Sequence, residues 1–483
     1  MSLTHLTDFP DRLSPMLVKE LRQGMRAKSF TLLFLTFQGL LAFILLTAGA
    51  ATSSDDAGTF ASGVIFIMFA GAALFIQPMR GVSALSSEIS GNTIEMMALT
   101  RLSAWLIVFG KWIAIVSQTA LILVTIIPFL ILRYFFGGMI LAGEMVFLGL
   151  MFLTSMALTA IMVGLSGNST KLVRMLPILG FIFLVGYVPD FLFRDGFKSF
   201  MTFCTLADSE SRLIIASYGI FIIYIGWCAL SHGTSVIAPI SENHSTVRRL
   251  ISLGLVIVTT VIGLCYPVDL NVLALVFGII LAPAVVTALT EPSVLLPPMW
   301  KPFLRHGLIG RVASTVLLPG WPSGVFYATL VLSISIGGLS LAGSSRSSPS
   351  LMPENSIGAL GCIGGILLAA LLAAIFTKQE SRRFTNFMVF LLVSILFAVI
   401  PMILTSINNH EKYLWFFIWN PPVSLFMAVS NGFIKSEVLA AVVIVDAIIL
   451  MMLLVTAGSA FRGYRRVIEE ADAELAKPTA PST

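Results

Sequence analysis

The chain has 483 residues, a formal net charge of +5, and 57% hydrophobic against 11% charged residues, with a mean hydropathy of +0.97. A soluble globular domain carries about 25% charged residues, so these proportions exclude a water-soluble enzyme or binding module. No segment alternates apolar and polar residues with period two, which sets aside a transmembrane barrel and leaves helices, whose backbone groups are satisfied within the segment.

Crossing a hydrocarbon core about 30 Å thick takes roughly 20 apolar residues. Twelve stretches meet that need, approximately 30–50, 60–79, 112–134, 139–165, 174–193, 212–232, 250–266, 271–290, 322–343, 356–376, 384–405 and 437–460. The expected fold class is all-α, a polytopic integral membrane protein with about 12 transmembrane helices. If the N-terminus is cytoplasmic, only Arg133, Arg194, Lys198, Arg212, Arg346, Lys412 and Lys435 of the 29 Lys and Arg residues fall on outer segments. The remainder collect inside, as the positive-inside rule requires, so both termini are expected in the cytoplasm. These inner basic rims account for the net charge without a nucleic-acid partner.

Residues 1–29 are polar and charged, and no small-residue cleavage site follows the first apolar run, so 30–50 reads as a retained span. Within this leader, Pro15–Lys28 reads as an amphipathic helix. Pro15 suits a first helical turn, Leu17, Leu21 and Met25 recur at i, i+4 and i+8, and Lys19, Glu20, Arg22, Arg26 and Lys28 take the other faces. Such a helix either lies on anionic headgroups or docks a cytoplasmic partner.

Residues 30–240 form a first six-span unit, interrupted by a polar cytoplasmic loop over 80–111. Gly91 breaks the chain there, Asn92 can cap a new helix with Glu95 in the capping-box position, and Ile94, Met97 and Ala98 share one face. Ser103 can cap the following helix, which carries Trp105 at headgroup level and Lys111 snorkelling at the inner boundary. The expected shape is a short transverse helix against the membrane; the alternative is a solvated linker. Residues 241–461 form a second six-span unit with no clear counterpart of that loop. Its inner segment 291–320 contains Pro292, Pro297, Pro298, Pro302 and Pro319 and reads as a stiff irregular connector. Its outer segment 406–436, with Trp415, Trp419 and Asn420-Pro421-Pro422, reads as interfacial or re-entrant. Residues 462–483 form a charged cytoplasmic tail, disordered beyond Ala476.

Chemistry is sparse. There is no G-x-x-x-x-G-K-[ST], no G-x-S-x-G and no H-E-x-x-H, and His5, His232, His244, His306 and His410 lack metal-ligand spacing. An enzyme is therefore not expected, nor a metal or cofactor on this chain. Cys204, Cys228, Cys265 and Cys362 have no paired spacing and read as small core hydrophobes. A charge at mid-bilayer costs about 2.5–3.5 kcal/mol on insertion scales, which makes Asp446, near the middle of the last span, informative. It either lines a polar path or binds a proton, or it is a neutral or paired packing group. Gln118 and Glu144 are further candidates for such a path, although Glu144 is close enough to a span end to sit among headgroups. Gln77, Gln118 and Asn168 can equally bridge helices.

Two stretches carry a resemblance to a known family. SPMLVKELRQGMRAKSF before the first span is similar to "NPvlvKELrqr-R", and SSEISGNTIEMMALTRLSAWLIVFGKW is similar to "sER-sGTLElLl-TPls-w-ivlGK", followed by a long span ending near Phe136-Gly137-Gly138. In this the chain resembles the permease subunits of ABC-2 type ATP-binding-cassette transporters over about residues 14–240. The resemblance implies that 15–28, with Leu17, Lys19, Glu20, Leu21 and Arg22, is a connecting helix. It also implies that 88–103 is a coupling helix seated in a groove of a separate ABC ATPase subunit, which holds ATP and Mg. Glu88, Thr93, Glu95 and Thr100 match the family pattern; Ile89, Asn92 and Arg101 depart from it, and Asn92 and Arg101 lie within the expected contact. A transporter driven in trans, a homo- or heterodimer of permease chains, and residence in the lipid bilayer of the cell membrane (the inner membrane of a bacterium) follow as expectations. Short outer segments, with no built-in receptor domain, favour export. The alternatives are an ion- or proton-coupled secondary transporter, for which Asp446 speaks, and a non-transporting membrane assembly scaffold.

Overall fold

A computed structural model of the chain describes residues 15–50, 55–91, 103–134, 140–168, 170–171, 173–174, 196–239, 242–266, 268–293, 297–344, 356–408, 411–421, 423, 427 and 435–476. All regular elements among these are helical. Among the described residues, ten helical runs are long and apolar enough to cross a membrane. Of the two remaining expected spans, 356–376 forms the 21-residue apolar helix Ser356–Phe376, and 174–193 lies outside the described residues beyond Arg174. The chain divides into two compact units, Met1–Ala238 and Pro239–Thr483.

The first unit contains α1 (Pro15–Arg26), α2 (Lys28–Ala50), α3 (Asp55–Ala70), α4 (Ser86–Ser90), α5 (Ala104–Tyr134), α6 (Leu141–Leu165), α7 (Gly196–Phe203) and α8 (Ser209–Ile237). Helix α3 does not stop where the polar loop was expected to begin. It continues through a π-helical turn over Gly71–Ile76, a turn over Gln77–Met79 and a 3-10 turn over Arg80–Ser83 before reaching α4. Leu41, Ile65, Phe66, Phe69, Ile122, Ile126 and Leu148 form a core between α2, α3, α5 and α6. Helices α6 and α8 approach closely because Gly164 has no Cβ, which would collide with the Ala229 carbonyl; small residues play this role in membrane bundles. The outward faces are apolar as well. Leu32 is 71% and Leu46 74% exposed on α2, a surface too greasy for water and suited to lipid.

The second unit contains α9 (Ser245–Cys265), α10 (Leu270–Thr290), α11 (Pro297–Leu304), α12 (Gly307–Leu317), α13 (Trp321–Ser344), α14 (Ser356–Phe376), α15 (Arg383–Asn408) and α16 (Lys435–Ala476). Three expectations change here. The proline-rich segment 291–320 is not irregular but a pair of short helices. Pro297 occupies a first helical position, where its missing N–H costs nothing, and Gly307 turns the chain at φ +63. The boundary at 462 falls inside α16, whose 42 residues span about 63 Å at 1.5 Å per residue. Its far end is ordered by packing, since Tyr464 and Ala471 are buried with Trp300 and Leu304; residues 477–483, expected to be disordered, lie outside the described residues. Finally, only Cys204 and Cys228 are buried, while Cys265 and Cys362 are exposed. The segment after α15, expected on the outer side, contains a 3-10 helix over Glu411–Phe417 followed by Asn420, whose Nδ2 donates to the Ser394 carbonyl at 3.0 Å. That bond fastens the segment to the flank of α15.

Candidate coupling site

The site assembles at one end of α5. Helix α1 packs on α5 with Leu17 and Leu21 half-buried and Lys19 and Arg22 exposed; Met25, expected on the same apolar face, is instead 40% exposed, so that face ends at Leu21. The chain breaks at Ala27, whose carbonyl accepts from Phe30 N (2.9 Å) and Thr31 N (3.1 Å) and starts α2. The close approach of α1 to α5 depends on Gly24: a Cβ there would strike the Gln118 side chain. Gln118 is buried, and its carbonyl oxygen accepts from the Arg80 guanidinium. The same guanidinium donates to Gln77 Oε1 at 3.3 Å and lies 5.8 Å from the Phe30 ring centroid. Arg80 therefore ties the end of the second span to α5 and to the start of α2.

Lys111 is the centre of the site. It was expected to snorkel toward headgroups, yet its side chain is 7% exposed and contacts Glu88 at 2.8 Å and Glu20 at 3.1 Å, each of these 16% exposed. One ammonium thus joins α1, α4 and α5. Its inward turn has a plain cause: the two carboxylates converge on it, and a paired buried charge is far less costly than an unpaired one. Helix α4 is anchored independently. Leu85 is fully buried with Val108, Ile115, Ala160 and Val163, and its N–H donates to Ser166 Oγ at 2.9 Å. Ser103 caps α5 as expected, accepting from Leu106 N at 3.4 Å. Between these anchors, Asn92, Thr93, Glu95, Thr100 and Arg101 lie outside the described residues. The structure thus brings together Glu20 of α1 and Glu88 of α4.

Of the three candidates for a translocation path, Gln118 and Glu144 serve separate contacts in the first unit, and Asp446 lies in the second. Gln118 belongs to the Arg80 contact. Glu144 is buried, contacting Arg133 Nη1 at 2.8 and 3.0 Å and accepting from Ser62 Oγ at 3.3 Å. Glu144 is thus engaged in an ion pair at the ends of two helices rather than free in a cavity. A cation in the last turn of α5 faces an anion in the first turn of α6, the arrangement helix dipoles favour. Asp446 on α16 is half-buried, and neither carboxylate oxygen finds a hydrogen-bond partner among the described residues. It fills the space beside Gly364 of α14, where a Cβ would collide with it and stand 2.9 Å from Pro421 Cβ.

A second charged cluster escaped the sequence reading. Arg248 and Arg249 at the start of α9 are both buried and hold Glu291, just beyond α10, between them. Arg249 also donates to the carbonyls of Leu318 (2.7 Å), Val316 (2.8 Å) and Gly320 (3.1 Å). Burial alone would raise the Glu291 carboxyl; the charges of Arg249 and Arg248 and hydrogen bonds from Ser245 and Arg248 bring it below the usual carboxylate range. Charge counting had left these arginines at a headgroup rim, and no spacing rule links them to an acid 42 or 43 residues on.

Among the described residues, no group of three or more His, Cys, Asp or Glu residues is placed to hold a metal ion. No family model, curated protein or solved structure matches the chain at a significant level. Its function must therefore be argued from the residues themselves.

Proposed function

We propose that this chain is the permease subunit of an ABC-2 type ATP-binding-cassette transporter, a twelve-span exporter of the cell membrane with both termini in the cytoplasm. A separate ABC ATPase subunit would bind ATP and Mg and drive it. The observation that carries this reading is the Lys111 node. A membrane protein driven from outside needs a handle that moves rigidly with its spans. Here the amphipathic α1 and the α4 end of the polar loop are both clamped by charge to the long span α5. Arg80 and Leu85–Ser166 add independent ties. A push on residues 92–102 would enter α3 through α4 and enter α5 through Ser103. Rigid-body motion of this kind is how transporters exchange inward- and outward-open states. The chain's own contribution is mechanical: Glu20, Glu88 and Lys111 hold the handle, while Asn92, Thr93, Glu95, Thr100 and Arg101 would face the ATPase groove.

One observation favours a second reading. The carboxyl of Asp446, without a hydrogen-bond partner among the described residues, sits in an apolar span, where ionisable groups often mark proton or ion paths. A proton-coupled secondary transporter would use it directly. The test is reconstitution with and without the ATPase candidate pulled down from detergent extracts. Flux that needs ATP hydrolysis and is abolished by Glu95→Arg fits the first reading. Flux that persists without ATP and stops when the proton gradient is collapsed fits the second.

A further inference from the structure

Helix α12 carries an apolar face that none of the described residues of its unit covers. Leu308 is 79%, Ile309 81% and Val312 59% exposed, at i, i+1 and i+4 on one side of the helix. The opposite side is fixed. Gly310 and Ser314 are buried, the Leu317 carbonyl accepts from Thr246 Oγ1 at 3.0 Å, and Arg249 holds the Val316 and Leu318 carbonyls. Arg311 pairs with Asp472 on α16 at 2.8 Å. The exposed face is therefore presented by a held helix rather than by a loose one.

Its position and charge identify the occupant. Helices α11 and α12 connect two apolar helices, one ending at Thr290 and the next starting at Trp321, so α12 lies close to a membrane boundary. Residues 292–320 contain Lys301, Arg305 and Arg311 and no Asp or Glu. Helix α9, tied to the end of α12 through Thr246, exposes Val247, Leu250 and Ile251, apolar residues of an expected span that are themselves suited to lipid. An apolar stripe flanked by basic residues beside a bilayer matches an anionic leaflet. We propose that α12 is an interfacial helix, with Leu308, Ile309 and Val312 seated in the acyl chains of that leaflet. Arg305, exposed on the same connector, lies among its anionic headgroups. The second unit would then be braced on the membrane surface as well as through its spans.

The test uses the full chain with its four cysteines replaced by serine or alanine and Ile309→Cys carrying a bimane label. The protein is reconstituted in phosphatidylglycerol-containing vesicles. Brominated acyl chains are expected to quench the label several-fold more than aqueous iodide does. Replacing phosphatidylglycerol with phosphatidylcholine should weaken that preference. Stronger quenching by iodide overturns the proposal. So does shielding from both quenchers, which would mean coverage by a second copy, and so does shielding from iodide that appears only when a soluble ATPase is added. A preference unchanged in phosphatidylcholine overturns the anionic component. Because Ile309 is exposed, Ile309→Glu should purify and unfold like wild type, and a label at Val312→Cys in that background should regain iodide access. Unchanged protection there also counts against the proposal.

Discussion

Replacing Lys111 with methionine removes one ammonium and leaves Glu20 and Glu88 facing each other in a largely dry site. The two contacts are 2.8 and 3.1 Å long. At an effective dielectric constant of about 20, charges at 4 Å already interact by about 4 kcal/mol, opposed by the cost of desolvation. Removing one partner of a buried pair typically costs about 3–5 kcal/mol. The carboxylates here retain 16% exposure, so water screens part of the loss and we expect roughly 2–3 kcal/mol. For a unit of this size about 1 kcal/mol shifts a melting midpoint by roughly 2–4 °C. Lys111→Met should therefore lower the midpoint of the detergent-purified protein by roughly 4–12 °C. Adding Glu20→Gln and Glu88→Gln should restore at least half of that fall, because no charge is then left unpaired. The assay is thermal unfolding followed by size-exclusion fluorescence. An unchanged midpoint in Lys111→Met, or a triple variant worse than the single one, would refute the clamp.

Other outcomes follow from the remaining clusters. Arg133→Met should destabilise by about 3–5 kcal/mol, and Arg133→Met with Glu144→Leu should recover most of it; denaturation of both variants decides whether the pair acts as a unit. Glu291 is held below its ordinary range, so its folded value lies under the unfolded one of about 4.3. Its stabilising contribution is complete above that value and is lost as pH falls through the folded value. The gap in unfolding midpoint between wild type and Glu291→Gln should stay constant from neutral pH to about 5 and close only in more acid solution. A gap that closes above that range contradicts the assignment. Gly364→Ala should cost about 1–3 kcal/mol by overpacking against Asp446 and Pro421, and Asp446→Ala should reduce that cost in a thermal-shift measurement, leaving the part due to Pro421. No reduction at all would mean that the two side chains do not share the space.

Local features were legible in the sequence. Pro15 with Leu17 and Leu21 pointed to helix α1, Ser103 announced the cap of α5, and Gly91 marked the end of α4, its N–H donating to the Ser87 carbonyl at 3.1 Å. Long-range partners were not legible. Glu20 lies 91 residues from Lys111 and Glu88 lies 23, and hydropathy gives a lone lysine near a span end no reason to turn inward. The same blindness left Arg133–Glu144 and Arg248–Arg249–Glu291 unpaired. Pro297 and Pro298 read as breakers by composition, whereas proline in a first turn is compatible with a helix. The tail was judged by polarity alone, although Tyr464 stacks on Phe461 at 5.0 Å and meets Trp300 at 5.7 Å. The continuation of α3 through its π-helical turn has no marker in the residues; Gly71 and Pro78 would each have suggested a stop.

The central claim is that a separate ATPase grips the segment between α4 and α5. The most direct measurement places a photo-crosslinking amino acid at Thr93 of the full-length protein in its native membrane and identifies the captured species by mass spectrometry. The account predicts a cytoplasmic protein bearing G-x-x-x-x-G-K-[ST], with the crosslink lost in Glu95→Arg and reduced in Lys111→Met. Crosslinks confined to lipid or to the chain itself, with transport intact, would contradict it.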